Sequence, residues 1–71
     1  MIDDYTNEKI MTGMQIRIAR TRHNLMSQRE LANAVGLHPN TVCNVERGNI
    51  RGLESRQKIT RYFERLENHE G

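Results

Sequence analysis

Tryptophan is absent from this chain, and only Tyr5, Tyr62 and Phe63 are aromatic among its 71 residues. With 35% hydrophobic residues, any core is a thin layer of Leu, Ile, Val, Ala and Met, enough for one small domain and too little for two. Subunit pairing is an expected supplement to a core of that size. Cysteine occurs once, at Cys43, which excludes an intrachain disulfide, and no Cys/His set has the spacing of a zinc site. Apolar runs are short, and none reaches the length of a signal-peptide core or a membrane span. Three scattered histidines and no paired carboxylates supply no catalytic constellation, and there is no glycine-rich phosphate loop. The composition points away from an enzyme and calls for no cofactor, metal or small-molecule ligand.

The formal net charge of +2 conceals its distribution. Residues 1–11 carry −2, from Asp3, Asp4 and Glu8 against Lys9. Residues 12–62 hold eight arginines and Lys58 against Glu30, Glu46 and Glu54, a local excess of +6. Residues 63–71 return to −2 through Glu64, Glu67 and Glu70 against Arg65. A basic middle between acidic ends suits a phosphate-binding face. Nine of the eleven cations are Arg, whose planar fork grips phosphates and guanine edges better than Lys does. An ordinary solvated surface explains the charge count alone equally well.

Ser27 to Gly48 holds the densest pattern, SQRELANAVGLHPNTVCNVERG. Ser27 with Glu30 three residues later is a capping box, so a helix starts at Gln28. Leu31, Ala32 and Val35 form one narrow apolar stripe on it. Gly36 ends the helix, because the turn needs a positive φ that glycine adopts without a Cβ clash. Leu37 then plugs the core, His38 stands at a cap position, and Pro39 suits the first position of the next helix. Val42 and Val45 face inward, so Asn40, Thr41, Cys43 and Asn44 point outward. Two short helices about a glycine turn are a helix-turn-helix. Upstream, Thr12 caps a helix running to about His23. Met14 and Ile18 are its expected inward residues, with Ile16 and Ala19 as further candidates on an ambiguous stripe. Downstream, Leu53, Ile59, Tyr62, Phe63 and Leu66 form a wide stripe on a last helix, capped near Asn49 or Ser55.

The spacing Gln28-x-x-Leu31-Ala32-x-x-x-Gly36-Leu37-x-x-x-x-Val42-x-x-Val45-Glu46-x-Gly48, preceded by Gly13-x-x-Ile16-Arg17-x-x-Arg20, resembles the phage-repressor and Cro class of DNA-binding domains, the Xre family. The resemblance implies an all-α, compact four-helix domain of the lambda-repressor-like kind, or five helices with an N-terminal turn. Its expected parts are an arm at 1–11, a domain at 12–68 with helices near 12–23, 28–35, 39–47 and 53–68, and a frayed tail at 69–71. It also implies a structural ion pair between Arg20 and Glu46. The count from Arg20 to Gln28 is one longer than the commonest family spacing, and Asn24-Leu25-Met26 must absorb the difference.

On that resemblance, the second helix of the motif reads bases in a major groove. Asn40 and Asn44 share one face and suit the N6 and N7 edge of adenine, while Pro39 and Cys43 offer apolar surface to a thymine methyl. Gln28, His38, Thr41, Arg47 and Arg51 are the phosphate candidates. Tyr62, Phe63 and Leu66 are candidates for a two-fold dimer contact, with Phe63 preferred inward and Tyr62 or Leu66 at the interface. The implied function is a sequence-specific double-stranded DNA-binding regulator, a dimeric repressor on a palindromic operator of a phage, mobile element or restriction–modification operon. RNA polymerase is a further possible partner, and the expected location is the cytoplasm of a bacterial or phage-infected cell. The competing reading keeps the fold without the DNA, as an antirepressor, antitoxin or adaptor that binds protein.

Overall fold

The computed structural model describes residues 10–70, with side chains through Asn68, and every regular element within them is an α-helix. They are α1 (Gly13–Arg22), α2 (Gln28–Val35), α3 (Pro39–Arg47) and α4 (Leu53–Glu70). Local chemistry sets most of the ends. Thr12 Oγ1 accepts from the Gln15 N–H, and the Gln15 side chain accepts in return from the Thr12 N–H. Ser27 and Glu30 close the same reciprocal box on α2, so two orphan donors at each start are satisfied. Gly36 ends α2 at φ 75°, and the Leu37 N–H turns back to the Ala32 carbonyl at 2.8 Å. His38 caps α3 through Nδ1, with Pro39 next. α4 opens at Leu53, directly after Gly52, so Asn49 lies upstream of it and Ser55 inside its first turn.

Two expected boundaries move. α4 continues through Glu70, so most of the frayed tail expected at 69–71 is helical backbone, and Gly71 lies outside the described residues. Of the arm expected at 1–11, residues 1–9 are likewise outside them. Met11 is fastened to α4: its N–H donates to Thr60 Oγ1 at 2.9 Å, and Arg56 Nη1 donates to its carbonyl at 3.4 Å. Thr60 in turn donates to the Arg56 carbonyl at 2.7 Å. Its hydroxyl is thereby both donor and acceptor, which is what makes a buried threonine tolerable here.

All four helices contribute to one core: Ile16 from α1, Leu31 and Ala32 from α2, Val42 and Val45 from α3, Ile59 and Phe63 from α4. Met11, Ala19, Met26, Val35, Leu37, Tyr62 and Leu66 pack around it. The radius of gyration is 12.0 Å, close to the roughly 11 Å of a folded chain this long. Even this thin core therefore closes the chain up. No helix among the described residues is long and apolar enough to cross a membrane.

Helix α1 corrects the reading of its inward face. Ile16 is fully buried with Ala19 beside it, whereas Met14 is 71% and Ile18 49% exposed. Three large apolar residues, Met14, Ile16 and Ile18, spread around ten positions define no stripe, and the side that faces the core is chosen by tertiary contacts, chiefly the anchoring of Arg20. Replacing Ile18 with Gln is accordingly expected to change stability by no more than about 0.5 kcal/mol in chemical denaturation. A loss above about 2 kcal/mol would show that Ile18 is a core residue after all. Phe63, of the three dimer candidates the one preferred inward, does lie inward. At 2% exposure it belongs to the monomer core, stacked on His23 at 5.3 Å between ring centroids and tilted against Tyr62 at 5.4 Å. It has no surface left for a dimer contact.

The connection between α1 and α2 runs through Asn24 at φ 63° and Leu25 at φ 55°. A leucine in the left-handed region costs roughly 1–2 kcal/mol, and Leu25 is 80% exposed, so burial does not offset it. Hydrogen bonds do: Leu25 N–H to the Thr21 carbonyl, Met26 N–H to the Arg20 carbonyl, and Arg20 Nη1 to the Met26 carbonyl at 2.7 Å. The loop is thus tied to the same arginine that organises the site described next.

Candidate nucleic-acid interface

Glu46, near the end of α3, is the hub of a buried polar network. Its side chain is 4% exposed and that of Arg20 13%. Arg20 Nε donates to Oε2 at 2.7 Å and Nη2 donates to Oε1 at 3.0 Å, a two-point grip. Gln28 Nε2 donates to the same Oε1 at 3.0 Å. With Arg20 also holding the Met26 carbonyl, one carboxylate joins α1, the following loop, the start of α2 and the end of α3. The pairing of Arg20 with Glu46 is present despite the longer spacing.

Above this network lies a cleft of about 310 Å³, lined by Arg17, Arg20, Gln28, Cys43, Glu46 and Arg47. Three guanidiniums face one carboxylate there, and that carboxylate is already engaged by Arg20 and Gln28. Arg17 and Arg47 are exposed, so the mouth of the cleft is cationic. The N-terminus of α2, whose first backbone N–H groups lack helical partners, opens beside it. An anion held here meets a fork from α1, a fork from α3 and the positive end of α2.

The outward face of α3 is continuous with the cleft. Asn40, Asn44 and Arg47 stand at i, i+4 and i+7, opposite the buried Val42 and Val45. Asn40 is exposed; Pro39, Thr41, Cys43 and Asn44 are half-buried. Asn44 Oδ1 accepts from Asn49 Nδ2 at 3.4 Å, a long bond that engages the amide oxygen and neither of its N–H donors. Cys43 stands on the flank toward α1, lining the cleft. Thr41 lies on the other flank of the helix. His38 Nδ1 accepts from the Asn40 N–H at 3.1 Å, so the ring's remaining nitrogen, Nε2, is its outward-facing donor. Arg47 and Arg51 are both exposed, one ending α3 and one in the loop beyond it. Arg56 Nε fixes that loop by donating to the Arg51 carbonyl at 2.8 Å.

Of the expected phosphate candidates, the structure brings Gln28 and Arg47 to the cleft and leaves His38, Thr41 and Arg51 around the rim of α3. Gln28 has a structural duty that the sequence reading missed: one of its amide protons is spent on Glu46. Arg17 was missed altogether as a site residue. Its signal was the three-residue spacing from Arg20, which sets both guanidiniums on neighbouring faces of α1. Among the dimer candidates, Tyr62 and Leu66 are half-buried against the chain's own core, and Tyr62 also lines a groove beside α2. Searches of protein-family models, curated proteins and solved structures find no match to this chain.

Proposed function

We propose that this protein is a sequence-specific double-stranded DNA-binding regulator built on a lambda-repressor-like helix-turn-helix, in which α3 enters the major groove. The observation that supports it most is the join between an uncharged polar face and a cationic cleft. Asn40 and Asn44 present amides at four-residue spacing for adenine edges. Arg17, Arg47 and the start of α2 stand beside them where a phosphate backbone passes. Cys43 sits between the two and offers its thiol to a thymine methyl or the adjacent sugar. Glu46 takes no part in reading DNA; its oxygens are used in holding the cleft together. The operative form is a dimer on a palindromic operator, with half-sites about one helical turn apart. Leu66, on the last helix, is the residue of the original three best left to mediate the two-fold contact. Occupancy of the operator then regulates the adjoining gene in a bacterial or phage setting.

Selection from a random duplex library, run at two salt concentrations, tests the reading. A palindromic consensus is expected. Asn44→Ala should relax preference at one position of each half-site by about 1–3 kcal/mol. Arg17→Ala should weaken all duplexes alike and lower the salt slope by about 1. Failure to retain any duplex at low salt rejects the proposal. Retention without a consensus rejects sequence reading and leaves a phosphate binder.

A further inference from the structure

We propose that the groove between α2 and α4 is a docking site for an acidic segment of another protein, anchored by an apolar side chain. The groove has a volume of about 280 Å³ and is lined by Ala34, Val35, Lys58, Arg61, Tyr62 and Arg65. That size lies below the roughly 300–1,000 Å³ of small-molecule sites and suits one or two side chains. Val35, from the last turn of α2, and Tyr62 line it half-buried, and Ala34 is exposed at its edge. Exposed Lys58 and Arg65 stand at its rim, and among the described residues no carboxylate lines it. These two cations are seven residues apart on α4, roughly 10 Å along the axis, the separation of two carboxylates two turns apart on a docked helix.

Charge complementarity and the half-buried apolar lining together select the occupant. A phosphate backbone answers the cations but offers nothing to Val35 and Tyr62, so the combination favours a peptide with carboxylates flanking a Leu or Phe. The opening on the other flank of α4, lined by Ala19, Arg22, His23 and Glu67, mixes both signs and has no such preference. The groove also lies at the opposite end of α2 from Gln28, away from the cationic cleft. The inference therefore stands apart from the DNA reading.

The test is a titration of the full isotope-labelled chain with a short acetylated and amidated helical peptide carrying Leu and Phe on one face flanked by Glu, followed by NMR. Amide signals of Ala34, Val35 and Tyr62 are expected to move together. Lys58→Glu with Arg65→Glu should weaken the peptide by roughly tenfold while leaving the melting temperature and the consensus selected from duplex DNA unchanged. Ala34→Glu, at an exposed position across the groove, should weaken it as well. Three results overturn the proposal: equal shifts with an oligoglutamate that lacks apolar residues, equal shifts in the groove with random-sequence duplex DNA, or the same shifts on concentrating the protein alone, which would mean a second copy covers the groove.

Discussion

Gly13→Ala is expected to melt at least about 10 °C below the parent protein, or to fail to fold. A Cβ at residue 13 would lie 2.3 Å from the Val45 carbonyl oxygen, 2.8 Å from the Glu46 carbonyl oxygen and 3.0 Å from Glu46 Cα. All three are backbone atoms of α3, so no side-chain rotation relieves the contact. Helix propensity argues the other way, since Ala is favoured over Gly by about 1 kcal/mol inside a helix. The magnitudes decide: Gly13 is the first residue of α1, where propensity counts least. Overpacking against an unyielding neighbour costs about 1–3 kcal/mol or more. To make room, α1 must withdraw from the end of α3, which loosens Ile16 against Val45 and lengthens the Arg20–Glu46 pair. A domain of this size has only about 4–10 kcal/mol of stability to lose. Thermal unfolding followed by circular dichroism reads the effect directly. A melting temperature within about 2 °C of the parent's would mean that α1 does not lie this close to α3.

The same residue shows where legibility from sequence ends. Helix limits were readable because caps are local: Ser27 with Glu30, Gly36, and His38 before Pro39 carry their geometry within a few residues. The inward sides of α2 and α3 were readable because Leu31, Ala32, Val42 and Val45 leave little choice of stripe. α1 was not, because Met14, Ile16 and Ile18 spread their apolar surface around the helix. The face that wins is set by Gly13 meeting α3 and Arg20 meeting Glu46, contacts thirty or so residues apart in sequence. Gly13 was visible as part of a family pattern, but its reason, a close approach to backbone, belongs to the fold. In the candidate interface, the face of Asn40, Cys43 and Asn44 was legible from helical periodicity. The contribution of α1 through Arg17 was not, since nothing local says which helix α3 will lie beside. Phe63 was legible as the inward member of the wide stripe on α4, but its partners were not: His23, just after α1, stacks on it and its neighbour Tyr62 tilts against it.

Glu46→Ala should lower the unfolding free energy by about 3–5 kcal/mol, the usual consequence of removing one partner from a buried ion pair. The size follows from what is stranded. Arg20, whose side chain is 13% exposed in the parent, keeps only the Met26 carbonyl, and Gln28 loses the acceptor of its amide. Such orphaned donors carry their full desolvation cost. The net worth of the pair is a different quantity, because desolvating both charges offsets much of their attraction. Arg20→Met combined with Glu46→Met should therefore cost less than half of what Glu46→Ala costs, since neither charge is left unpaired. Glu46→Gln, which keeps an acceptor oxygen, should fall between them. Guanidinium denaturation of the three variants measures all of this. A loss below about 1 kcal/mol for Glu46→Ala, in the range of exposed pairs, would show that water reaches the network freely. If the DNA reading is right, the double variant adds a further discrimination. With Arg20 and Glu46 gone but the helices still packed, Arg17, Asn40, Asn44 and Arg47 remain in place. Duplex affinity should then fall far less than stability does in Glu46→Ala, which separates a residue that braces the interface from residues that touch DNA.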